Sequence, residues 1–234
     1  MPRLAPRTAS CGAEACSSCC IRKAALFGDL SDGEYARVQW FIEQCEFVPG
    51  AALYDIGQPV KGIFVVRSGM VKMVRSTRDG RERIVRVLRV GDVVGLEALA
   101  SAYYDCDAVA LTPLSVCRVP LDIIKDLLAR SPHLLAQVMQ KWQKTLKDAD
   151  DWLADLNSGS ARLRVSNLVQ KMRSPEDGEI AMLFSREEMG AMLDLKFETV
   201  SREVSRLVRE GAIEPLDKLG RAYRVCKPEQ LLQQ

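Results

Sequence analysis

Four of the eight cysteines crowd between Cys11 and Cys20, at positions 11, 16, 19 and 20. Cys16-x-x-Cys19 has the spacing at which two thiolates reach one metal centre, and Cys11 and Cys20 stand beside it. Such a group holds an iron–sulfur cluster or zinc, or cycles between thiol and disulfide, because a thiolate is both a soft ligand and a nucleophile. In a reducing compartment these fates outweigh structural disulfides. Cys45, Cys106 and Cys226 read as structural, and Cys117, on an apolar run, reads first as a small buried hydrophobe. Other reactive chemistry is sparse. His133 is the single histidine, which excludes H-E-x-x-H and any His-rich metal site. There is no G-x-S-x-G, P-loop or G-x-G-x-x-G. With no acid–base or nucleophile constellation, the chain reads as a non-enzyme.

The elements that must position these residues follow from length and pattern. A chain of 234 residues, 47% hydrophobic, has room for one large or two ordinary domains. Lys and Arg number 33 against 31 Asp and Glu, so nucleic-acid contact must come from a local patch. The first ten residues hold two Arg and no apolar core, and no run approaches a membrane span, so a cytoplasmic protein that does not engage membrane is expected. From about Glu46 to Val119, short β-branched runs alternate with turns at Ser68-Gly69, Arg78-Asp79-Gly80 and Gly91-Asp92, which predicts an all-β sandwich or barrel. After Pro120 the period changes. Leu135, Met139, Trp142, Leu146, Ala149, Leu153 and Leu156 recur alternately four and three residues apart, a narrow apolar seam on one long helix. Lys141, Lys144, Lys147, Asp148, Asp150 and Asp151 occupy its other faces, a pattern that suits pairing with a second copy in a homodimer better than core packing.

Asn157-Ser-Gly-Ser160 is a polar break, after which helical period resumes over Ala161 to Met172 and a short strand over Ile180 to Phe184. Ser185 and Glu188 form a capping box for a helix through about Met192. Asp194-Leu195-Lys196 separates it from a second helix, Phe197 to Arg209, ended by Gly211. Two short helices at this separation make a helix-turn-helix, and residues 219 to 225 read as a β-hairpin wing. In the second helix Glu198, Ser201, Arg202, Ser205 and Arg209 share a polar side while Val200, Val204, Leu207 and Val208 face inward. An arginine presents two donors to guanine, a carboxylate accepts from cytosine, and a serine bonds base or phosphate. Glu198 and Arg202 also have the spacing of an ordinary solvated ion pair. Lys196, Thr199 and Ser205 complete the candidate DNA-facing set. From Ser160 onward 13 basic residues meet 12 acidic ones, so specificity must come from a dimer reading two half-sites about one helical turn apart.

The order of parts resembles the CRP/FNR family of transcription regulators. The resemblance rests on Phe64-Val-Val-Arg-Ser-Gly-Met-Val, Gly91-Asp-Val-Val-Gly-Leu-Glu-Ala-Leu and Leu195-Lys-Phe-Glu-Thr-Val-Ser-Arg202. It implies an α+β chain: a cysteine-rich segment over 1–25, a cyclic-nucleotide-binding-like β-barrel (a double-stranded jelly roll) over 26–128, a dimerisation helix over 129–158 and a winged helix-turn-helix over 159–234. Glu198, Ser201 and Arg202 match the E-x-x-S-R pattern of the FNR-like branch, which implies a double-stranded TTGAT…ATCAA palindrome. The cyclic-nucleotide branch binds its phosphate with an Arg-Ser pair. The matching stretch here, Ala98 to Asp107, has no arginine and carries Asp105 and Asp107, so an anion would meet repulsion. The FNR-like branch instead implies a [4Fe–4S] cluster with one ligand from the barrel, where Cys117 stands. The implied set is Cys11, Cys16, Cys19 and Cys117, with Cys20 as the alternative ligand. The sequence departs from that branch in having no cysteine over Ile21 to Phe27. Zinc or a thiol–disulfide switch on the same cysteines is the alternative. The charged hairpin Thr77 to Arg83 is, by resemblance, a surface for RNA polymerase.

Overall fold

The first half of the chain is cut into strands by residues that only a turn accommodates. At Gly69 the backbone is left-handed (φ 82°) and a β-carbon would sit 2.2 Å from the Pro113 carbonyl oxygen, so no side chain fits in the turn between Ser68 and Val71. A computed structural model describes residues 7–10, 27–28, 30–174 and 178–231 of the chain. The strands are β1 (Arg7–Ser10), β2 (Glu43–Phe47), β3 (Ala52–Tyr54), β4 (Gly62–Ser68), β5 (Val71–Ser76), β6 (Glu82–Leu88), β7 (Val93–Val94), β8 (Asp107–Ala110) and β9 (Leu114–Pro120). They form a five-stranded sheet in the order β1-β2-β9-β4-β7 and a four-stranded sheet in the order β3-β8-β5-β6. The result is two facing sheets of jelly-roll type, not the closed barrel that was one reading of the sequence.

Alternation along β4 explains how the five-stranded sheet is buried on both faces. Phe64 and Val66 point between the sheets with Val71, Met73, Ala108, Ala110, Leu114 and Val116. Ile63 and Val65 point the other way, into a second apolar cluster with Val119 of β9. Three helices cover that outer face: α1 (Asp32–Val38), α2 (Leu121–Arg130) and the start of α3 (Pro132–Leu156). α1 begins at a capping box, the Ser31 hydroxyl accepting from the Glu34 amide at 3.3 Å and the Glu34 carboxylate from the Ser31 amide at 2.9 Å. It contributes Tyr35 and Val38 to the outer cluster, α2 contributes Ile124 and Leu127, and α3 contributes Leu134 and Val138.

The chain divides into two compact units, one of residues 1–75 and 85–147, the other of 76–84 and 148–234. The long helix is therefore shared between units instead of standing as a domain of its own. In the second unit α4 (Ala161–Lys171), α5 (Arg186–Leu193) and α6 (Phe197–Arg209) pack with a small sheet of order β10-β12-β11, made of Ile180–Met182, Ala222–Val225 and Ile213–Pro215. The short α7 (Pro228–Leu231) follows. Val165, Leu168 and Val169 of α4, Met189, Met192 and Leu193 of α5, and Val200, Val204 and Leu207 of α6 are all buried. The wing expected over 219–225 is wider than that: its strands are β11 and β12, and Leu219 lies in the exposed turn between them.

Candidate nucleic-acid interface and thiol face

The helix-turn-helix is closed by two unusual residues. Asp194 ends α5 in the left-handed region at φ 53°, a conformation that Asp tolerates better than most side chains. Gly190 lets the turn approach: a β-carbon there would lie 2.7 Å from the Leu195 carbonyl oxygen, and the Leu195 amide donates to the Gly190 carbonyl at 3.1 Å. Ser185 and Glu188 form the expected capping box at the start of α5, each bond 3.2 Å. The next helix, α6, then starts at Lys196, whose carbonyl accepts from the Thr199 and Val200 amides at 3.0 and 3.1 Å.

On α6 the exposed side carries Glu198, Arg202 and Ser205, with Lys196 exposed at the N-cap and Ser201 and Thr199 half-buried at its edge. An i,i+4 pair between Glu198 and Arg202 does not form. The Arg202 guanidinium instead lies 3.4 Å from Glu203, a residue only 8% exposed that sequence patterning passed over. Glu198 and Arg202 are both exposed, one turn apart on α6. Behind them Glu210 anchors the helix. Its carboxylate meets Arg162 of α4 at 2.6 Å and Arg206 at 2.9 Å, and those contacts hold its pKa below the usual carboxylate range. The wing turn is fixed by Asp217, which accepts from the Arg221 and Ala222 amides at 2.9 and 3.0 Å, with the same downward effect on its carboxyl.

Residues 76–84 belong to this same unit, and Arg83 explains how. Its guanidinium sits 2.5 Å from the Asp194 carboxylate and donates to Asn157 at 3.0 Å. Of the hairpin expected to be a free surface, Arg83 is therefore engaged, and Arg81, exposed and paired with Asp79 at 2.6 Å, also lies 4.0 Å from the Asp194 carboxylate.

α3, whose residues up to Lys147 belong to the first unit and from Asp148 to the second, carries two apolar stripes. Leu134 and Val138 are buried in the outer cluster, and the Lys141 and Lys144 ammoniums reach the Gly91 carbonyl and the Asp92 carboxylate at 3.3 and 3.1 Å. Leu135, Met139, Trp142, Leu146 and Leu153 remain 38–65% exposed, and Ala149 is half-buried. Leu156 departs from the expected seam: at 1% exposure it is packed inside its own chain, so the exposed stripe ends at Leu153.

Cys117 is half-buried on β9 and packs against the outer cluster that also holds Phe27 and Leu30. Strand register ties a second point of the N-terminal region to it. Ala9 lies opposite Gln44, which lies opposite Cys117, so Ala9 and Cys117 are two strand spacings apart, roughly 10 Å. Cys11, Cys16, Cys19 and Cys20 lie outside the described residues. Of the described residues that flank them, Phe27 packs in the same outer cluster as Cys117 and Ser10 ends β1 opposite Glu43. The other cysteines differ. Cys45 and Cys106 are buried, and burial, followed by the neighbouring Asp105, pushes the Cys106 thiol up to about 12. Cys226 is exposed, contrary to a structural role.

Around the stretch Ala98 to Asp107, one donor atom each of Glu97, Asp105 and Cys106 lie within 4.8 Å of one another. Burial, with Asp105 nearby, raises the Glu97 carboxyl, which accepts from the Tyr54 hydroxyl at 3.1 Å. Arg75 is committed to Asp105 at 3.5 Å. Arg86 also acts on Glu97 and Cys106, so charges of both signs meet here.

Comparison with known proteins covers both units. Residues 44–131 match the cyclic nucleotide-binding domain family and residues 152–234 the Crp-like helix-turn-helix domain family. A fumarate and nitrate reduction regulatory protein of Escherichia coli is 27% identical over 205 residues, spanning 85% of this chain and 82% of that protein. FixK2 from Bradyrhizobium japonicum shares the fold with a TM-score of 0.72 at 23% identity, over 81% of this chain and 94% of the other. TTHB099, a CRP-family transcriptional regulator from Thermus thermophilus, does so at 0.67 and 23%, over 80% and 93%. These relatives are regulators, not enzymes. Among the described residues no helix is long and apolar enough to cross a membrane.

Proposed function

This chain belongs to the CRP/FNR family of DNA-binding transcription regulators, and we propose that it is an FNR-like sensor: a homodimer that binds a TTGAT-like palindrome when an N-terminal [4Fe–4S] cluster is intact. The observation that carries the DNA half of this reading is the exposed face of α6, where Glu198 and Arg202 are not paired with each other, opposite the buried Val200, Val204 and Leu207. In this reading Arg202 donates to guanine, Glu198 accepts from the opposing cytosine, and Ser201 meets a neighbouring thymine or phosphate. Lys196, Thr199 and Ser205 flank them toward the backbone.

Cys11, Cys16, Cys19 and Cys117 would hold the cluster, Cys20 being the alternative third N-terminal thiolate. The donor set fits the group. Four thiolates are its usual ligands, Cys117 is half-buried at the outer cluster, and Phe27, which follows the cysteine-rich segment, packs in that same cluster. When bound, the cluster supplies a centre sensitive to oxygen and nitric oxide. The residues do the rest. Leu135, Met139, Trp142, Leu146, Ala149 and Leu153 bury against a second copy and set the spacing of the two α6 helices. Asp148, Asp150 and Asp151 of the two protomers oppose that pairing by repulsion, so association is finely balanced. The exposed Asp79 and Arg81 of the 77–83 hairpin are offered to RNA polymerase.

Gel-shift titration tests the DNA half. The account expects Arg202→Ala to lose about 1–3 kcal/mol on the palindrome and to stop discriminating a substituted guanine. If the variant kept wild-type preference for that guanine, the assignment of α6 would be wrong.

A further inference from the structure

The turn of the wing, between β11 and β12, presents an apolar side chain that its own unit leaves uncovered. Leu219 is 82% exposed, more than any other large hydrophobic among the described residues. A lone exposed leucine means nothing by itself. This one stands on a pinned support. The Asp217 carboxylate accepts from the Arg221 and Ala222 amides at 2.9 and 3.0 Å, and the Gly220 and Leu219 amides add to its stabilisation. Across the base of the turn the Leu216 amide donates to the Ala222 carbonyl at 2.8 Å, and the left-handed Gly220 (φ 63°) reverses the chain. Leu219 is therefore held out from the surface by a fixed turn.

Its neighbours are cationic. Lys218 is exposed and Arg221 half-buried, and neither side chain enters an ion pair among the described residues, whereas Arg224 further along β12 is held by Glu214 at 3.4 Å. The turn also lies against the start of the helix-turn-helix. Arg186, the first residue of α5, donates to the Tyr223 hydroxyl at 2.7 Å, and its guanidinium is 3.6 Å from where a β-carbon of Gly220 would stand. In a helix-turn-helix the first helix crosses the DNA backbone while the second lies in the major groove. A turn fixed beside the start of α5 is thus placed at the backbone, where the major groove gives way to the minor. An apolar tip between two free cations has the chemistry of a minor-groove wedge: the side chain enters between base pairs and the cations hold the phosphates beside it.

We propose that Leu219 is an apolar wedge that enters the minor groove adjoining each half-site, with Lys218 and Arg221 on the flanking phosphates, so that the wing reads the deformability of base pairs α6 does not touch. This role presupposes the proposed docking of α6 in the major groove. Insertion unstacks one base step, and pyrimidine–purine steps such as TA are kinked and unstacked most easily. The wing therefore favours a TA step beside the half-site over a G·C-rich flank, with no hydrogen bond to a base. The guanine contact of Arg202 is a separate source of specificity.

Titration of the full-length protein, prepared without oxygen, against palindromes with either TA steps or G·C pairs beside each half-site tests it. Wild type should bind the TA-flanked operator about tenfold more tightly, a difference of ~1.4 kcal/mol. Leu219→Gln, on an exposed turn with no packing to lose, should remove that preference, and Leu219→Met should keep it. A 2-aminopurine placed at the flanking step should brighten when wild type binds and stay dim with Leu219→Gln. Lys218→Gln should lower the salt dependence of log K by about two, one phosphate per protomer, and leave the flank preference in place. Discrimination of the half-site guanine reports on α6 and should be equal in wild type and Leu219→Gln. Its absence from wild type would count against α6, while the aminopurine signal still reads the wedge. A flank preference that survives in Leu219→Gln, a probe that stays dim with wild type, or an unchanged salt slope in Lys218→Gln would each overturn the proposal.

Discussion

At the scale of single residues, burial sorts groups that look alike in the sequence. Cys106 and Cys45 sit inside the first unit with thiols pushed up by desolvation, so at neutral pH they stay protonated and unreactive. Iodoacetamide should modify exposed Cys226 in the native protein and leave Cys45 and Cys106 untouched until it unfolds, as peptide mass mapping would read. Rapid labelling of Cys106 in the native state would contradict that. Glu97 gives a pH dependence of definite sign. Its folded pKa is raised, so the folded state holds a proton that the unfolded chain has released, and stability falls as pH rises from the ordinary carboxylate range through the folded value. Glu97→Gln keeps an acceptor for Tyr54 and removes the ionisation. Its melting temperature should exceed wild type at neutral pH and converge with it in acid, and equal melting temperatures across the range would refute the assignment. The structural role of Cys45 and Cys106 was legible in the sequence, but the exposure of Cys226, the pairing of Arg202 with Glu203 and the burial of Glu97 were not, because they depend on which neighbours the fold brings in.

At the scale of elements, what the sequence revealed and what it hid follow the strength of local signals. The α6 helix, its partner α5 and the Ser185–Glu188 box could be read directly, since capping chemistry and 3.6-residue period are local. The strands from Gly62 to Pro120 were legible from turns and alternation. Three elements were not. α2 follows a proline without a side-chain cap, α1 is only seven residues long, and β1 is a short polar edge strand whose existence depends on pairing with β2. Leu156 was misassigned because heptad spacing cannot tell a seam that meets another chain from one that turns into its own unit. Gly190 passed unnoticed, since a glycine inside a helix signals a close approach only once the approaching carbonyl is known. Gly190→Ala should push the turn off α5 at a cost of about 1–3 kcal/mol and weaken operator binding along with melting temperature. A fully stable variant with wild-type affinity would show that the turn relaxes freely. For α3, a Leu146→Lys change puts a charge on an exposed stripe, with no intrachain packing to lose. It should yield a folded monomer by sedimentation, and a dimer of unchanged strength would remove the stripe from the interface.

At the scale of the whole molecule, the account joins two chemistries through one helix. In the proposed mechanism, thiolates at the N-terminus and on β9 govern whether α3 pairs, and pairing brings two α6 helices to DNA at matched spacing. The near-balanced charge of residues 160–234 gives a single copy little non-specific hold on a polyanion. Cys117→Ala should therefore weaken operator binding through loss of dimer while leaving the α6 surface and the fold intact. The most direct measurement is made on protein purified without oxygen, with visible absorption, iron content and operator affinity followed before and after admission of air. The account predicts a brown protein carrying about four iron atoms per protomer, whose colour, dimer and operator binding are lost together. A colourless, zinc-loaded protein, or one that binds its operator equally well in air, would contradict it.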